Sequence, residues 1–157
     1  MYKRQQLNRV TRIARELCAQ SGGRLTDKRK SILEVLLISD MPLSAYEIAD
    51  AHNSKVDKAM PVMSVYRILE FLESQDLVHR LSSANKYIAC SHIICGQTHK
   101  TSQFLICDQC QSAKEIAISK RVMNEISKLV GKAGYALTNP QLELQCVCHD
   151  CAGSTSH

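Results

Sequence analysis

The chain has 157 residues, 45% of them hydrophobic and 22% charged, which suits one domain or two small ones with a real core and excludes disorder. No apolar run reaches the ~20 residues that cross a bilayer, and no apolar stretch follows the charges of Met1-Tyr-Lys-Arg-Gln-Gln as in a signal peptide, so a soluble cytoplasmic protein without membrane contact is expected. The net charge of +5 is uneven: residues 1–30 carry nine Lys/Arg against Glu16 and Asp27, and residues 31–84 carry four against eight acids, a basic arm that suits nucleic acid but also a solvated helix face.

Leu7, Val10, Ala14, Leu17 and Cys18 recur at helical spacing, and Gly22-Gly23 ends that first helix. Thr26 caps a second helix that carries Ile32, Leu33, Leu36 and Leu37 to about Asp40. Ser44-Ala-Tyr-Glu47 has the spacing of a capping box and opens a third helix through about Asn53. Pro61 suits the first turn of a fourth, from Val62 to about Gln75, with Val65, Ile68, Leu69 and Leu72 inward. Residues 77–81 and 86–90 read as two strands around the turn Ser82-Ser-Ala-Asn85.

Helices followed by a short hairpin are the order of a winged helix-turn-helix, whose last helix enters a major groove. A helical bundle with a hairpin and no ligand fits the same pattern, because fold does not determine function. After residue 90 the composition changes. A polar loop rich in Cys and His spans 91–101. Strands are expected at 103–107, 113–118 and 142–146, with an amphipathic helix over 121–130 that turns Val122, Ile126, Leu129 and Val130 inward. The expected class is α+β: a winged-helix domain over residues 1–90, then a small α/β domain over 91–157. The core of that second domain is too thin to stand without a metal or a partner subunit.

Seven of the eight cysteines fall between residues 90 and 151. In a chain of this size without an export signal, the thiols point to metal or catalysis rather than disulfides. Cys107-Asp-Gln-Cys110 and Cys148-His-Asp-Cys151 are C-x-x-C pairs, and four thiolates are a usual ligand set of structural zinc. The rival reading, a redox C-x-x-C, wants a βαβ context that is not evident. Cys146 could stand in for Cys148. A second group, His79, Cys90, His92, Cys95, His99 and Glu115, surrounds the domain boundary. Each member is weak alone, but together they form a mixed N/S/O set that suits reversibly held zinc.

Arg24-Leu-Thr-Asp-Lys-Arg29, Ser64-Val-Tyr-Arg-Ile-Leu-Glu-Phe-Leu72 and the two C-x-x-C pairs together resemble the ferric uptake regulator family, over nearly the whole chain. The resemblance implies a winged DNA-binding domain, a small dimerisation domain and metal-dependent repression of transcription. It implies Cys107, Cys110, Cys148 and Cys151 as structural zinc ligands, and His79, Cys90, His99 and Glu115 as regulatory ligands of the zinc-sensing branch. Two zinc ions per chain follow. Tyr46, Tyr66 and Arg67 match positions that face DNA; Arg reads guanine O6/N7, and Tyr serves phosphate or a thymine methyl.

Many members carry a His-His-Asp-His run before the first C-x-x-C. This chain has Ser91-His-Ile-Ile-Cys-Gly-Gln-Thr-His99 instead, and a Cys90 thiolate favours zinc over iron. His92 and Cys95 stay unassigned. The expectation is a zinc-sensing repressor that binds duplex operator DNA as a homodimer and takes no small-molecule substrate. An iron- or peroxide-responsive relative, a thiol switch at Cys90 or Cys95, and a zinc enzyme are the alternatives. The enzyme lacks support, since the chain holds neither H-x-E nor H-E-x-x-H.

Overall fold

The computed structural model describes residues 4–95 and 102–153. The chain forms two compact units, Met1–His99 and Lys100–His157. Among the described residues, no helix is long and apolar enough to cross a membrane.

The first unit holds α1 (Arg4–Gln20), α2 (Asp27–Ile38), α3 (Ala45–Asn53) and α4 (Val62–Ser74), then β1 (Val78–Leu81) and β2 (Lys86–Ala89). Helix α1 stops because Gly22 takes φ 80°, a conformation without steric cost only for glycine. The amide of Gly23 then reaches back to the Cys18 carbonyl at 2.8 Å. Thr26 and Ser44 cap α2 and α3 as expected. At Ser44 both halves of the capping box form, with the Glu47 amide donating to Oγ at 3.2 Å and the Ser44 amide to Glu47 Oε2 at 2.8 Å. The Ser44 amide, with Lys86 alongside, holds the Glu47 carboxyl below the usual carboxylate range.

Helix α2 lies at the centre of this unit, burying Ile32, Leu33, Val35, Leu36 and Leu37. Val10, Ala14 and Cys18 of α1, Ile48 of α3 and Val65, Leu69 and Leu72 of α4 complete the core. The link from α3 to α4 is held by Asn53: its Nδ2 donates to the Met60 carbonyl at 3.1 Å, and the Met60 amide donates to its Oδ1 at 2.7 Å. Strands β1 and β2 pair antiparallel, with His79 opposite Ile88. The Leu43 and Tyr87 backbones exchange two hydrogen bonds, at 3.0 and 2.7 Å, which tie this hairpin to the segment before α3. Ile93, on a short 3-10 turn (Ile93–Cys95), is buried in the same core, so the packing of the first unit continues past Cys90.

The second unit holds β3 (Gln103–Cys107), β4 (Ala113–Ile116), α5 (Lys120–Lys132), β5 (Glu143–Cys146) and α6 (His149–Gly153). The sheet order is β4-β3-β5, antiparallel on one side of β3 and parallel on the other. The buried Gln103 side chain fastens the approach to β5, donating to the Pro140 carbonyl at 2.9 Å and accepting from the Leu142 amide.

One expectation fails here. Helix α5 has no buried residue: Val122 and Leu129 are 43% and 65% exposed, and Ile126 and Val130 are only half-buried. Three short strands give too little surface within one chain to cover the apolar stripe. Helix α6 was not expected at all; it is short, without apolar periodicity.

The Asn53 amide satisfies the buried Met60 backbone in both directions, so Asn53→Ala strands a buried donor and acceptor. A loss of about 1–3 kcal/mol is expected, read as a lower urea midpoint at unchanged m-value. An unshifted midpoint would show that the α3–α4 link is held by something else.

Candidate metal centre and nucleic-acid interface

Cys107 ends β3, and Cys110 lies in the tight turn that follows. That turn is closed by the Gln111 amide donating to the Cys107 carbonyl at 2.9 Å, with Gln111 at φ 62°. Parallel pairing sets Cys107 beside Cys146, and the Asp108 amide bonds the Cys146 carbonyl at 2.9 Å. Two residues further on, the Cys148 amide donates to Cys107 Sγ at 3.4 Å. Cys151 sits on α6, whose start brings it back to the same place.

The sulfur atoms of Cys107, Cys110, Cys148 and Cys151 all lie within 4.8 Å of one another, with Cys110 and Cys148 at 3.8 Å. A tetrahedral ion with metal–sulfur bonds of ~2.3 Å requires sulfur–sulfur edges near 3.8 Å, so the cluster fits zinc in donor type, number and spacing. Cys146 directs its Sγ to the Leu144 carbonyl at 3.5 Å.

The thiols divide their protons unevenly. Backbone amides of Cys110 and Cys148 donate to Cys107 Sγ and draw its pKa down to about 6. The Ser112 hydroxyl and amide lower Cys110 as well. Cys151, hydrogen-bonded to Cys148 and crowded by the other sulfurs, is pushed up to about 12. The surroundings thus stabilise the first negative charges and resist the last, because like charges this close repel.

His79 and Cys90 belong to the first unit. His79 is on β1, and Cys90 follows β2 with its amide donating to the Leu77 carbonyl at 2.9 Å. Both are buried, and their ligand atoms lie within 4.8 Å of each other. Glu115 is on β4 of the second unit and accepts from the Ser102 hydroxyl at 2.8 Å. His99 lies outside the described residues. The His92 amide donates to Cys90 Sγ at 3.4 Å, its ring pairs with the Ser91 hydroxyl, and Cys95 is exposed.

On the helix-turn-helix pair, Tyr46 of α3 is 64% exposed and meets Tyr66 of α4 edge to face, with ring centroids 6.5 Å apart. Tyr66 is half-buried against the core, while Arg67 is exposed. Burying Val65, Leu69 and Leu72 turns Arg67 outward, together with Met63 one turn earlier, which is 63% exposed. Met63 is absent from the sequence-based set. Its signal is the four-residue spacing from Arg67 on the outer face, where an apolar side chain can meet a thymine methyl.

A model of the ferric uptake regulator family matches residues 20–145. The zinc uptake regulation protein of Escherichia coli (strain K12) is 36% identical over 138 residues, covering 88% of this chain and 78% of that protein. A solved zinc uptake regulator complexed with zinc and DNA superposes with a TM-score of 0.83 at 30% identity, covering 96% of this chain and 98% of that one. The holo XcZur crystal structure does so at 0.78 and 31% identity, covering 93% and 99%. On the family match and this level of identity, the chain belongs to the ferric uptake regulator family.

Proposed function

We propose that this chain is a zinc-sensing transcriptional repressor, not an enzyme, which binds operator DNA as a zinc-loaded homodimer and controls zinc uptake genes. The observation that carries the sensing part is the buried pair His79 and Cys90, held on the hairpin of the unit that presents α4. A thiol and an imidazole suit zinc better than iron. Similarity to a regulator solved with zinc and DNA supports the same reading.

Two zinc ions per chain are proposed. Cys107, Cys110, Cys148 and Cys151 hold the structural ion, which cross-links the β3–β4 turn to the α6 segment. His79, Cys90, His99 and Glu115 hold the regulatory ion. Zinc supplies a fixed divalent charge and a tetrahedral template, with no redox step. The regulatory ligands come from both units, so holding them on one ion restricts the motion of one unit against the other. The two α4 helices of a dimer must enter successive major grooves ~34–36 Å apart, and that restriction is how occupancy favours DNA. Arg67 reads a base, while Tyr46, Tyr66 and Met63 serve phosphate or thymine methyl groups. The homodimer is supported by the outward apolar stripe of α5 and by exposed Leu144 and Val147, all within the second unit.

Elemental analysis of reduced protein should give two zinc ions per chain, falling to one after a mild chelator. A constant value of one would leave no sensor. Zinc binding to the four-thiol centre at about pH 7.5 should release fewer than four protons, since Cys107 with its pKa of about 6 is already a thiolate there. Below that pKa Cys107 must also lose its proton, so proton release should rise as the pH falls. Calorimetry in two buffers of different ionisation enthalpy reads this; release that stays constant through pH 6 contradicts the assignment of Cys107.

The His79→Ala protein should keep the chelator-resistant zinc and its dimer mass while losing zinc-dependent DNA binding. Gel-shift titration against buffered zinc decides this, and an unchanged zinc response removes His79 from the sensor.

A further inference from the structure

The first unit carries more positive charge than the base-reading helix uses. Three shallow clefts cross it side by side and share lining residues. The first, where α1 meets α2, is lined by Arg12, Arg15 and Lys30 with Asn8 and Thr11. The second shares Arg15 and continues past Arg24 to Thr26. The third shares Thr26 and ends on α4, lined by Lys28, Lys58, Ser64 and Arg67. Across the three, Asp27 is the one acidic lining side chain.

Arg12 and Arg15 are one turn apart on α1, outside its buried stripe of Val10, Thr11, Ala14 and Cys18. Both are exposed, and neither side chain makes a hydrogen bond or ion pair among the described residues. Lys30 is partly answered by Glu34 at 3.5 Å. At the other end of the track, α4 begins at Pro61 without a side-chain cap and without an acidic residue in its first turn. Its dipole therefore adds positive potential to the third cleft, which Pro61 also lines.

We propose that this track is a second DNA contact, along which backbone phosphates of the duplex beyond the α4 groove are held, with Arg12 and Arg15 at its far end. Two features select duplex phosphate over an acidic protein. The track reaches α4 at Ser64 and Arg67, and its cations are spread over three adjoining clefts rather than gathered around one group. Phosphate contacts of this kind raise affinity for any sequence and carry little discrimination. The inference rests on the DNA-binding reading above.

The test uses the full zinc-loaded chain, a duplex selected by it from a random-sequence pool, and a shuffled duplex of equal length, titrated over a range of KCl. Arg12→Gln/Arg15→Gln should weaken both duplexes by the same factor. It should also lower the slope of log affinity against log salt by about two per subunit, at ~0.9 per phosphate contact. Arg12→Lys/Arg15→Lys should restore the slope, and zinc content with thermal melting checks the fold of each variant. Arg67→Ala should weaken the selected duplex more than the shuffled one. An unchanged slope in the double glutamine variant overturns the proposal. If Arg67→Ala still costs selectivity in that case, the DNA-binding reading survives. A zinc-loaded protein that prefers no duplex in the selection overturns both.

Discussion

Crowding of like charge organises the second unit. Four sulfur atoms within 4.8 Å of one another cannot all ionise without a cation, and the spread of their pKa values, from about 6 at Cys107 to about 12 at Cys151, expresses that conflict. A divalent ion resolves it and at the same time closes the segment between Cys110 and Cys148, which contains α5 and β5. Closing a loop of that length removes chain entropy that a thin core cannot offset. The core is thin in a specific way: among the described residues of this unit the buried ones are Ser102 and members of β3, while α5 and α6 bury nothing. The proposed zinc and the proposed partner subunit therefore supply what a larger unit would obtain from its own interior.

The first unit is held by different means. Its apolar core is continuous, and its polar links are local: the Ser44 capping box, the Asn53 staple and Arg29, whose guanidinium lies 3.6 Å from the Phe71 ring centroid and donates to the Arg24 carbonyl at 2.7 Å. These links hold the α3–α4 connection and the start of α2 at fixed angles to the core. The exchange of hydrogen bonds between Leu43 and Tyr87 joins the hairpin to the same frame. His79 and Cys90 thus belong to the same packed unit as α4, with Cys90 and Val78 in one core with Val65, Leu69 and Leu72.

The difference between the units explains which features were legible in the sequence. Capped helices with apolar spacing, such as α3 behind Ser44-Ala-Tyr-Glu47, are local, and local chemistry is what a sequence displays. The hairpin at Ser82-Ser-Ala-Asn85 followed in the same way, and Asn85 adopts the positive φ of 49° such turns use. The paired C-x-x-C spacing identified four thiols that meet in space, because metal chemistry restricts the options more than packing does. What escaped depended on distant partners. The stripe on α5 is outward where its spacing suggests inward, since periodicity states that a face is apolar but not whether the same chain covers it. The Asn53 staple escaped because an asparagine at a helix end has many local roles and Met60 gives no sign of needing it. Cys146 stayed ambiguous until strand register turned its sulfur toward Leu144. The proposed regulatory ligands rest on family resemblance rather than spacing, because their positions run from 79 to 115 without a motif of their own.

On the proposed reading, charge and geometry divide the work of DNA binding. The cations along α1, α2 and α4 are present whatever the zinc supply, so attraction to phosphate cannot distinguish a loaded protein from an empty one. Nor does local charge at the regulatory site provide the distinction: a divalent ion beside one thiolate and one carboxylate is neutral, and the empty site with a protonated thiol differs from it by a single charge. Salt at physiological strength screens that over ~8 Å. On the proposed reading, what zinc changes is how often both α4 helices of a dimer are in register with successive grooves. Reciprocity fixes the converse: operator DNA must tighten regulatory zinc by the same factor that zinc tightens DNA. A sensor built as proposed would hold duplex phosphate in either state and use zinc for alignment.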